Sequence, residues 1–145
     1  MLRKHYAGII IIRRSDGKVL YQLRDDKSSI PTPNKWATFG GGIEKSDKSP
    51  REAIIREVME ELCYDIDERR LKKLITLRTP LKTYYLHYII INDNEAKRLR
   101  LMEGKEMKFM KREEYLRLKN SYWPTRQFIK YYLTNRKINK LLTNC

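Results

Sequence analysis

Short apolar runs broken by turn residues dominate the first part of the chain, and they predict a β-sheet. The turn residues Ser15-Asp16-Gly17-Lys18 separate the first two runs, which predicts a β-hairpin at the start of the chain. In the run at residues 82–92, aliphatic and aromatic side chains occupy both sets of alternate positions. That pattern is typical of a central strand covered on both faces. The predicted strands cover residues 5–14, 19–24, 36–39, 71–79 and 82–92.

A change to helical periodicity follows three consecutive glycines, Gly40-Gly41-Gly42. Ser49 is placed to cap a helix, Pro50 suits its first position, and Glu52 completes a Ser-x-x-Glu capping box. We therefore expect a helix that begins after Ser49 and ends near Cys63. Its predicted buried stripe consists of Ile55, Val58, Met59 and Leu62.

The last third of the chain predicts smaller elements and a closing helix. The pattern favours a turn at 92–94, strands at 97–101 and 107–110, a short helix at 111–118, and an amphipathic helix from Pro124 to about Asn139. Strands on either side of a helix, followed by a closing helix, predict an α/β sandwich with a mixed sheet. With no repeat and no linker, we expect one domain over 1–145.

Composition describes a globular chain without an obvious membrane segment. Of the 145 residues, 41% are hydrophobic and 34% charged, and no run approaches the length of a membrane span. The first residues lack the apolar core of a signal peptide, so a cytoplasmic location is expected. Cys63 and Cys145 form neither a metal-ligand pair nor a disulfide framework, and Cys63 is predicted to be a small core residue at the helix end.

Positive charge is concentrated in the second half of the chain. The formal net charge is +14, and residues 97–145 carry 14 Lys/Arg against 4 Asp/Glu. Such asymmetry indicates a polyanionic partner, nucleotide or nucleic acid. A lysine-rich solvated surface is the alternative.

Candidate chemistry lies on the predicted helix. Glu57, Glu60 and Glu61 share one face, with Arg56 beside them. Like charges at this spacing repel, so a hard divalent cation with oxygen ligands is the expected partner. The alternative is an ordinary solvated acidic face. Arg56 is expected to pair with one of these carboxylates and orient it.

The sequence around this helix resembles the Nudix hydrolase family. Arg56-Glu57-Val58-Met59-Glu60-Glu61 matches the helical half of the Nudix box, and Gly40-Gly41-Gly42-Ile43-Glu44 resembles its loop half. The flanking segments 22–26, 30–36 and 103–109 are similar to those of MutT-like members. The chain departs from the box at two positions, because Asp47 replaces the first glutamate and Cys63 the final glycine.

The resemblance implies a Nudix-like α/β/α sandwich and a set of site residues. Glu57 matches the frequent catalytic base of the family, and Glu103 and Glu106 match a region that supplies a further metal ligand or base. Which of those two serves is left open. The metal site is expected to comprise the Gly41 carbonyl, Glu57, Glu60, Glu61 and Asp47, and the catalytic set Glu57, Glu60, Arg56, Glu103 and Glu106.

Outside the box, the sequence offers weaker candidates. Arg24 stands at a strand end beside the loop and is predicted to contact a phosphate. Tyr84, Tyr85 and Tyr88 are interpreted as packing residues, with nucleobase stacking as the alternative. His87 is interpreted as a core histidine.

The resulting functional hypothesis is Mg²⁺- or Mn²⁺-dependent hydrolysis of a nucleoside diphosphate linked to another group. The linked substrate would be a nucleoside triphosphate, a modified one, a nucleotide sugar or a dinucleoside polyphosphate. Two alternatives are an RNA 5′-end or cap hydrolase that uses the basic C-terminal half, and a nucleotide-sensing module without activity. A homodimer is possible by analogy with relatives.

Overall fold

The computed structural model describes residues 4–30 and 32–134, with side chains through residue 131. A 3₁₀ turn, Glu68–Arg70, precedes the strand at Lys72–Arg78. The strands are β1 (Lys4–Arg13), β2 (Val19–Leu23), β3 (Trp36–Ala37), β4 (Phe39–Gly42), β5 (Lys72–Arg78), β6 (Lys82–Ile91) and β7 (Glu106–Met110), and the helices are α1 (Pro50–Leu62), α2 (Asp93–Arg98), α3 (Arg112–Leu116) and α4 (Trp123–Thr134).

These strands form one mixed sheet in the described part of the chain, in the order β3-β2-β1-β6-β5. β1 and β6 run parallel over their whole length, from Lys4↔Lys82 to Arg13↔Ile91. The other edge of β1 is shared, because β4 pairs with its first half and β2 pairs with it at Ile12↔Val19. β7 pairs with the far edge of β2. The sheet therefore divides where β4 and β2 meet the same strand.

Alternate side chains of β1 explain the two cores. Ile9 and Ile11 pack with α1 on one face, whereas Ile10 and Ile12 pack with α3 and α4 on the other. All four isoleucines are almost wholly buried, as expected for a strand covered on both sides. The predicted sandwich with a mixed sheet is confirmed. The predictions that β6 is a central strand and that His87 is buried are also confirmed, although His87 Nδ1 has no hydrogen-bond partner among the described residues.

Helix α1 begins as predicted and differs in detail. Ser49 accepts a hydrogen bond from the Glu52 amide, but the Glu52 carboxylate accepts from the Lys48 amide, so the box is not reciprocal. The predicted stripe was partly wrong, because Met59 is 42% exposed. Buried positions of α1 are Ala53, Ile54, Val58, Glu61 and Leu62, which shows that the buried face is rotated toward Glu61.

Cys63 ends α1 in the left-handed conformation, with φ of 50°. This is the conformation that a glycine would adopt without strain. Its side chain is exposed, so the prediction of a core residue was wrong. Cys145 and the predicted part of the last helix beyond Thr134 lie outside the described residues.

The largest secondary-structure error concerns residues 92–101. The predicted turn and strand are replaced by α2, which is capped by Asn92 and Glu95 in a reciprocal capping box. Glu95 is buried and also accepts hydrogen bonds from Arg70 and Tyr64. An ion pair with a distant residue thus helps to stabilise a helix whose short, polar sequence was not predicted to be helical. Among the described helices, none is long and apolar enough to cross a membrane.

Candidate active site

A cleft of about 500 Å³ opens where the sheet divides, between the glycine strand β4 and the ends of β2 and β3. Its lining comes from both halves of the molecule. One group of lining residues comprises Gly41, Glu57, Glu61 and Glu103, and we refer to it as the carboxylate end. A second group, the aromatic end, comprises Tyr6, Lys82, Tyr84, Tyr122 and Phe128.

Glu61 is the most buried carboxylate of the cleft, at 5% exposure. The Gln22 side-chain amide donates to its Oε2 at 2.7 Å, and the Gly40 amide donates to its Oε1 at 3.1 Å. Neither donor carries a charge. Burial therefore raises the pKa of Glu61 to about 8, and the charges of Glu57 and Glu103 act in the same direction.

Glu57 lies against the glycine strand. A Cβ added at Gly41 would stand 2.4 Å from Glu57 Oε1, so a side chain here would displace the Glu57 carboxylate. Gly40 has φ of 136°, and a Cβ there would meet the Ala7 carbonyl oxygen at 2.2 Å. Burial raises the pKa of Glu57, against the opposing effect of Arg56. The glycines thus let the strand pass directly beside the carboxylates.

Arg56 ties the loop before α1 to the helix. Its Nε and Nη2 donate to the two oxygens of Asp47 at 3.1 and 2.9 Å, and Nη2 also donates to the Gly42 carbonyl. Its Nη1 donates to Glu57 Oε1 at 3.0 Å and lies 3.6 Å from Glu60. The hydrogen bond from Arg56 is the main reason that the pKa of Asp47 is lowered. Arg56 therefore holds Glu57 in place while Asp47 holds Arg56.

The segment between α2 and β7 places Glu103 over the carboxylate end. The Met102 amide donates to the Glu61 carbonyl at 2.9 Å, and the Gly104 amide donates to Asp25 Oδ2 at 3.3 Å. Glu103 lines the cleft between these two contacts. Glu106 instead pairs with Leu23 in the β2–β7 ladder and is exposed.

Arg24 lines the cleft at the end of β2. Its amide bonds to the Lys35 carbonyl, which fixes the backbone. Its buried Nε has no hydrogen-bond partner within the part of the chain that the structure describes. A buried donor without a partner is unfavourable by about 1–3 kcal/mol, so this guanidinium is suited to receive an anionic group.

The structure thus separates the predicted site residues into two groups. Arg24, Gly41, Glu57, Glu61 and Glu103 line one cleft. Four others do not line it: Arg56, Asp47, Glu60 and Glu106. Of these, Arg56 donates a hydrogen bond to Glu57, and Asp47 accepts hydrogen bonds from Arg56. Their predicted roles in catalysis and metal binding stay predictions.

Sequence reasoning missed Gln22, Lys82 and Tyr122. Gln22 is a polar residue in an otherwise apolar strand and is 4% exposed, and that polarity was the available signal. Lys82 and Tyr122 gave no signal, because their place in the cleft depends on pairing between distant segments.

The carboxylate end fits a hard divalent cation. Burial of Glu57 and Glu61 raises the pKa of both, and a cation between their oxygens would favour the charged forms. Across residues 4–30 and 32–134, no three His, Cys, Asp or Glu side chains already converge closely enough to hold a metal ion. Mg²⁺ usually keeps several waters and binds through one or two carboxylates together with substrate phosphates. The carboxylates of Glu57 and Glu61 therefore suffice as protein ligands for a Mg²⁺ ion of this kind.

An α/β/α sandwich with a carboxylate-lined cleft at a divided sheet defines the class of protein. A family model described as the NUDIX domain matches residues 3–132. The chain therefore belongs to the Nudix family, and the predicted hydrolase class is confirmed. The general reaction of this family is hydrolysis of a nucleoside diphosphate linked to another group, and the substrates of the family are of the nucleotide type.

Solved structures with the same fold are numerous, although distant in sequence. A mutT/nudix family protein from Listeria innocua has a TM-score of 0.74 at 17% identity, with 98% of this chain and 99% of that chain covered. The NUDIX domain of Shewanella oneidensis NrtR, solved with ADP ribose, has a TM-score of 0.72 at 14% identity, covering 92% and 88%.

A MutT/nudix family protein from Enterococcus faecalis has a TM-score of 0.62 at 18% identity, and the match covers 75% of this chain but 44% of that one. At these identities the likeness establishes the fold alone. A search of curated proteins gives no significant match.

Proposed function

We propose that this protein is a Mg²⁺- or Mn²⁺-dependent pyrophosphohydrolase that cleaves a phosphoanhydride of a nucleotide in the cleft. One observation carries the proposal: two desolvated carboxylates, Glu57 and Glu61, lie beside a glycine strand that approaches them without intervening side chains. This arrangement places oxygen donors where a divalent cation would favour their charged forms and would offset the charge of a bound phosphate.

The metal would be held by Glu57 and Glu61, with the Gly41 carbonyl and the exposed Glu60 as further oxygen donors. Bound there, Mg²⁺ or Mn²⁺ supplies charge neutralisation at the phosphate oxygens and lowers the pKa of a coordinated water. Asp47 acts through Arg56, which orients Glu57 and favours its charged form against the effect of burial. Asp47 as a direct ligand is the weaker form of this proposal, since Arg56 and the Glu44 amide already use its two oxygens.

Protein groups then perform binding and proton transfer. Arg24 donates its free Nε–H to a phosphate oxygen, which offsets the cost of its burial. Glu103 accepts the proton of the attacking water, because it lies at the cleft, is exposed and has no ion-pair partner among the described residues. Glu106 is exposed and does not line the cleft, and it is proposed to have no part in the reaction.

The test is a panel of nucleoside triphosphates, nucleotide sugars and dinucleoside polyphosphates, assayed for phosphate-containing products with and without Mg²⁺. We expect Mg²⁺-dependent turnover of at least one substrate, and a loss of about 10²–10⁴-fold in kcat for Glu57→Gln and for Glu61→Gln. The matched control is Glu52→Gln on the same helix, which caps the first turn outside the cleft.

Nucleotide binding without turnover of any panel member would replace this proposal with a nucleotide-sensing role. Turnover that survives in both glutamine variants would place the chemistry elsewhere in the molecule.

A further inference from the structure

The segment between α2 and β7, residues 99–105, runs from the end of α1 to the end of β2, and we refer to it as the strap. At its first end, the Arg100 amide donates to the Leu62 carbonyl at 3.0 Å, and the Met102 amide donates to the Glu61 carbonyl at 2.9 Å. The last carbonyls of a helix have no partner within the helix. The strap therefore satisfies two of them and is fixed to the turn of α1 that carries Glu61.

The second end of the strap lies against β2. The Lys105 amide donates to the Leu23 carbonyl at 2.9 Å. Gly104 has φ of 92°, and a Cβ added to it would stand 2.9 Å from the Leu23 carbonyl oxygen and 3.2 Å from Gln22 Oε1. A positive φ and so close an approach both favour glycine. The strap thus passes close to β2, beside the side chain that donates to Glu61.

Asp25 makes a side-chain contact to this second end. Its Oδ2 accepts a hydrogen bond from the Gly104 amide at 3.3 Å. Asp25 is half-buried and lines the cleft, and its own carbonyl accepts from the Asn34 amide at 3.1 Å. The carboxylate is therefore presented from a backbone that is already hydrogen-bonded, and a carboxylate is a stronger acceptor than a neutral group.

A further contact to the strap is exposed to solvent. The Lys105 ammonium donates to Asn34 Oδ1 at 3.2 Å and lies 3.7 Å from the Asp26 carboxylate. All three residues are exposed, and solvent-exposed ion pairs contribute little to stability. Asp26 thus reaches the same segment as Asp25 without holding its backbone, which makes it a matched comparison.

Glu103 lies between the two anchored ends. Its neighbours Met102 and Gly104 both donate their amides to fixed oxygens, whereas the Glu103 residue is itself exposed and lines the cleft. The position of its carboxylate then depends on these two backbone bonds rather than on side-chain packing. The bond at Gly104 has a side chain as its acceptor, so a substitution can remove it.

We propose that Asp25 is a positioning residue for Glu103: it holds the Gly104 amide and thereby keeps the Glu103 carboxylate at the cleft. This inference rests on the proposed function, in which Glu103 accepts the proton of the attacking water, and it deepens that function. Asp25 directly follows Arg24, whose guanidinium is proposed to bind a phosphate. The same contact therefore keeps the base and the phosphate-binding residue in a fixed relation, while Asp25 itself takes no part in proton transfer or metal binding.

The first test measures the contact itself, without metal, nucleotide or turnover. Hydrogen exchange of single backbone amides is followed by NMR in the full chain. In Asp25→Ala the Gly104 amide should exchange at least about tenfold faster, because it loses a carboxylate acceptor. The Met102 amide should exchange as in the wild type. Equal exchange at Gly104 in Asp25→Ala and the wild type would overturn the inference.

Two further variants control this measurement. Asp25→Asn retains an acceptor oxygen and should keep most of the protection at Gly104, and Asp26→Ala is the matched control that should change neither amide. If Asp25→Ala fails to fold, Asp25→Leu takes its place, since leucine keeps the side-chain volume and lacks the acceptor. A Gly104 amide that exchanges in the wild type as fast as in an unstructured peptide would also reject the inference.

The second test separates positioning from a general loss of structure. Because a misplacement of about 1 Å can reduce a rate by about 10²-fold, Asp25→Ala should lower kcat by about 10- to 10²-fold with little change in KM. Asp25→Asn should restore most of this loss, and Asp26→Ala should stay near the wild type. The Mg²⁺ concentration for half-maximal activity should be unchanged in all three. A raised Mg²⁺ requirement in Asp25→Ala would indicate a metal ligand, and equal losses in the Ala and Asn variants would show that the charge is used directly; either result contradicts the inference.

A double variant shows whether Asp25 acts through Glu103. In the Glu103→Gln background, Asp25→Ala should cause little further loss of kcat, because the effects of residues that act as a unit are not additive. Losses that multiply would place the effect of Asp25 elsewhere and overturn the inference. A loss in Glu103→Gln with no loss in Asp25→Ala would overturn the inference alone, whereas full activity of Glu103→Gln would reject the base assigned in the proposed function and the inference with it.

Discussion

The two ends of the cleft differ in how they are built. Gly41, Glu57 and Glu61 of the carboxylate end come from a single stretch of chain, a glycine strand and the helix that follows it. The aromatic end is assembled from β1, β6 and the start of α4, which are far apart in sequence. The position of these three residues thus depends on local spacing, whereas the aromatic end depends on tertiary contact. Substitutions at the two ends should consequently have different kinetic signatures.

The largest expected effect separates Glu103 from Glu106. Because Glu103 lines the cleft and Glu106 does not, Glu103→Gln should lower kcat by about 10³-fold if it accepts the water proton. Glu106→Gln should retain most activity. Steady-state kinetics with saturating Mg²⁺ decide between them, and comparable losses in both variants would show that position in the cleft does not identify the base.

A second contrast tests the glycine strand. A Cβ at Gly41 would overlap Glu57, whereas a Cβ at Gly42 meets no atom within 4 Å. Since a misplacement of about 1 Å can reduce a rate by about 10²-fold, Gly41→Ala should lose about that factor in kcat. Gly42→Ala is the control and should stay near the wild type.

Acid should weaken the ion pair between Arg70 and Glu95, which stabilises α2 ahead of the segment that carries Glu103. The Arg70 guanidinium is the main cause that lowers the pKa of Glu95 to about 2. The folded-state pKa is therefore below the unfolded one, so the stabilisation is present above about pH 4.5 and is lost as the pH falls toward 2. We expect a loss of about 1–2 kcal/mol in the free energy of unfolding between pH 6 and pH 3.

Urea unfolding at the two pH values measures this loss, with Glu95→Gln as the variant that cannot titrate. The variant should lose less stability on acidification than the wild type. An equal loss would assign the acid sensitivity to other groups.

Gln22 should matter to metal binding rather than to nucleotide binding. It supplies one of the two hydrogen bonds to the Glu61 carboxylate, and the loss of such an orienting contact typically costs about tenfold or more in metal affinity. In Gln22→Leu, the Mg²⁺ concentration for half-maximal activity should rise by about this factor, with kcat recovered at high Mg²⁺. An unchanged Mg²⁺ requirement would exclude this role.

The smallest effect concerns the end of α1. Cys63 occupies a left-handed conformation that costs a non-glycine residue about 1 kcal/mol. Cys63→Gly should therefore stabilise the protein by up to about 1 kcal/mol, or about 3 °C in Tm for a chain of this size. Thermal unfolding checks this, and kcat should be unchanged because the side chain points to solvent. Destabilisation would mean that the gain in unfolded-chain entropy exceeds the relief of strain.

Much of the molecule followed from local patterns. The sheet-and-helix sandwich, the start of α1 at Ser49 and the glycine strand were all predicted, because turn residues, caps and periodicity act over a few neighbouring positions. Helix α2 was missed although Asn92 and Glu95 form a local capping box, because the helix is short and polar. Its residue Glu95 is also held by Arg70, which lies 25 residues earlier in the chain.

The sequence by itself determined the family and the chemical identity of the carboxylate end, since a helical repeat brings Glu57 and Glu61 to one side of α1 whatever surrounds them. Only the tertiary structure decided which glutamate is buried, that Glu103 rather than Glu106 reaches the cleft, and that Lys82 and Tyr122 meet at its other end. Those outcomes depend on strand pairing between segments distant in sequence. Such pairing leaves no periodic signal in either segment alone.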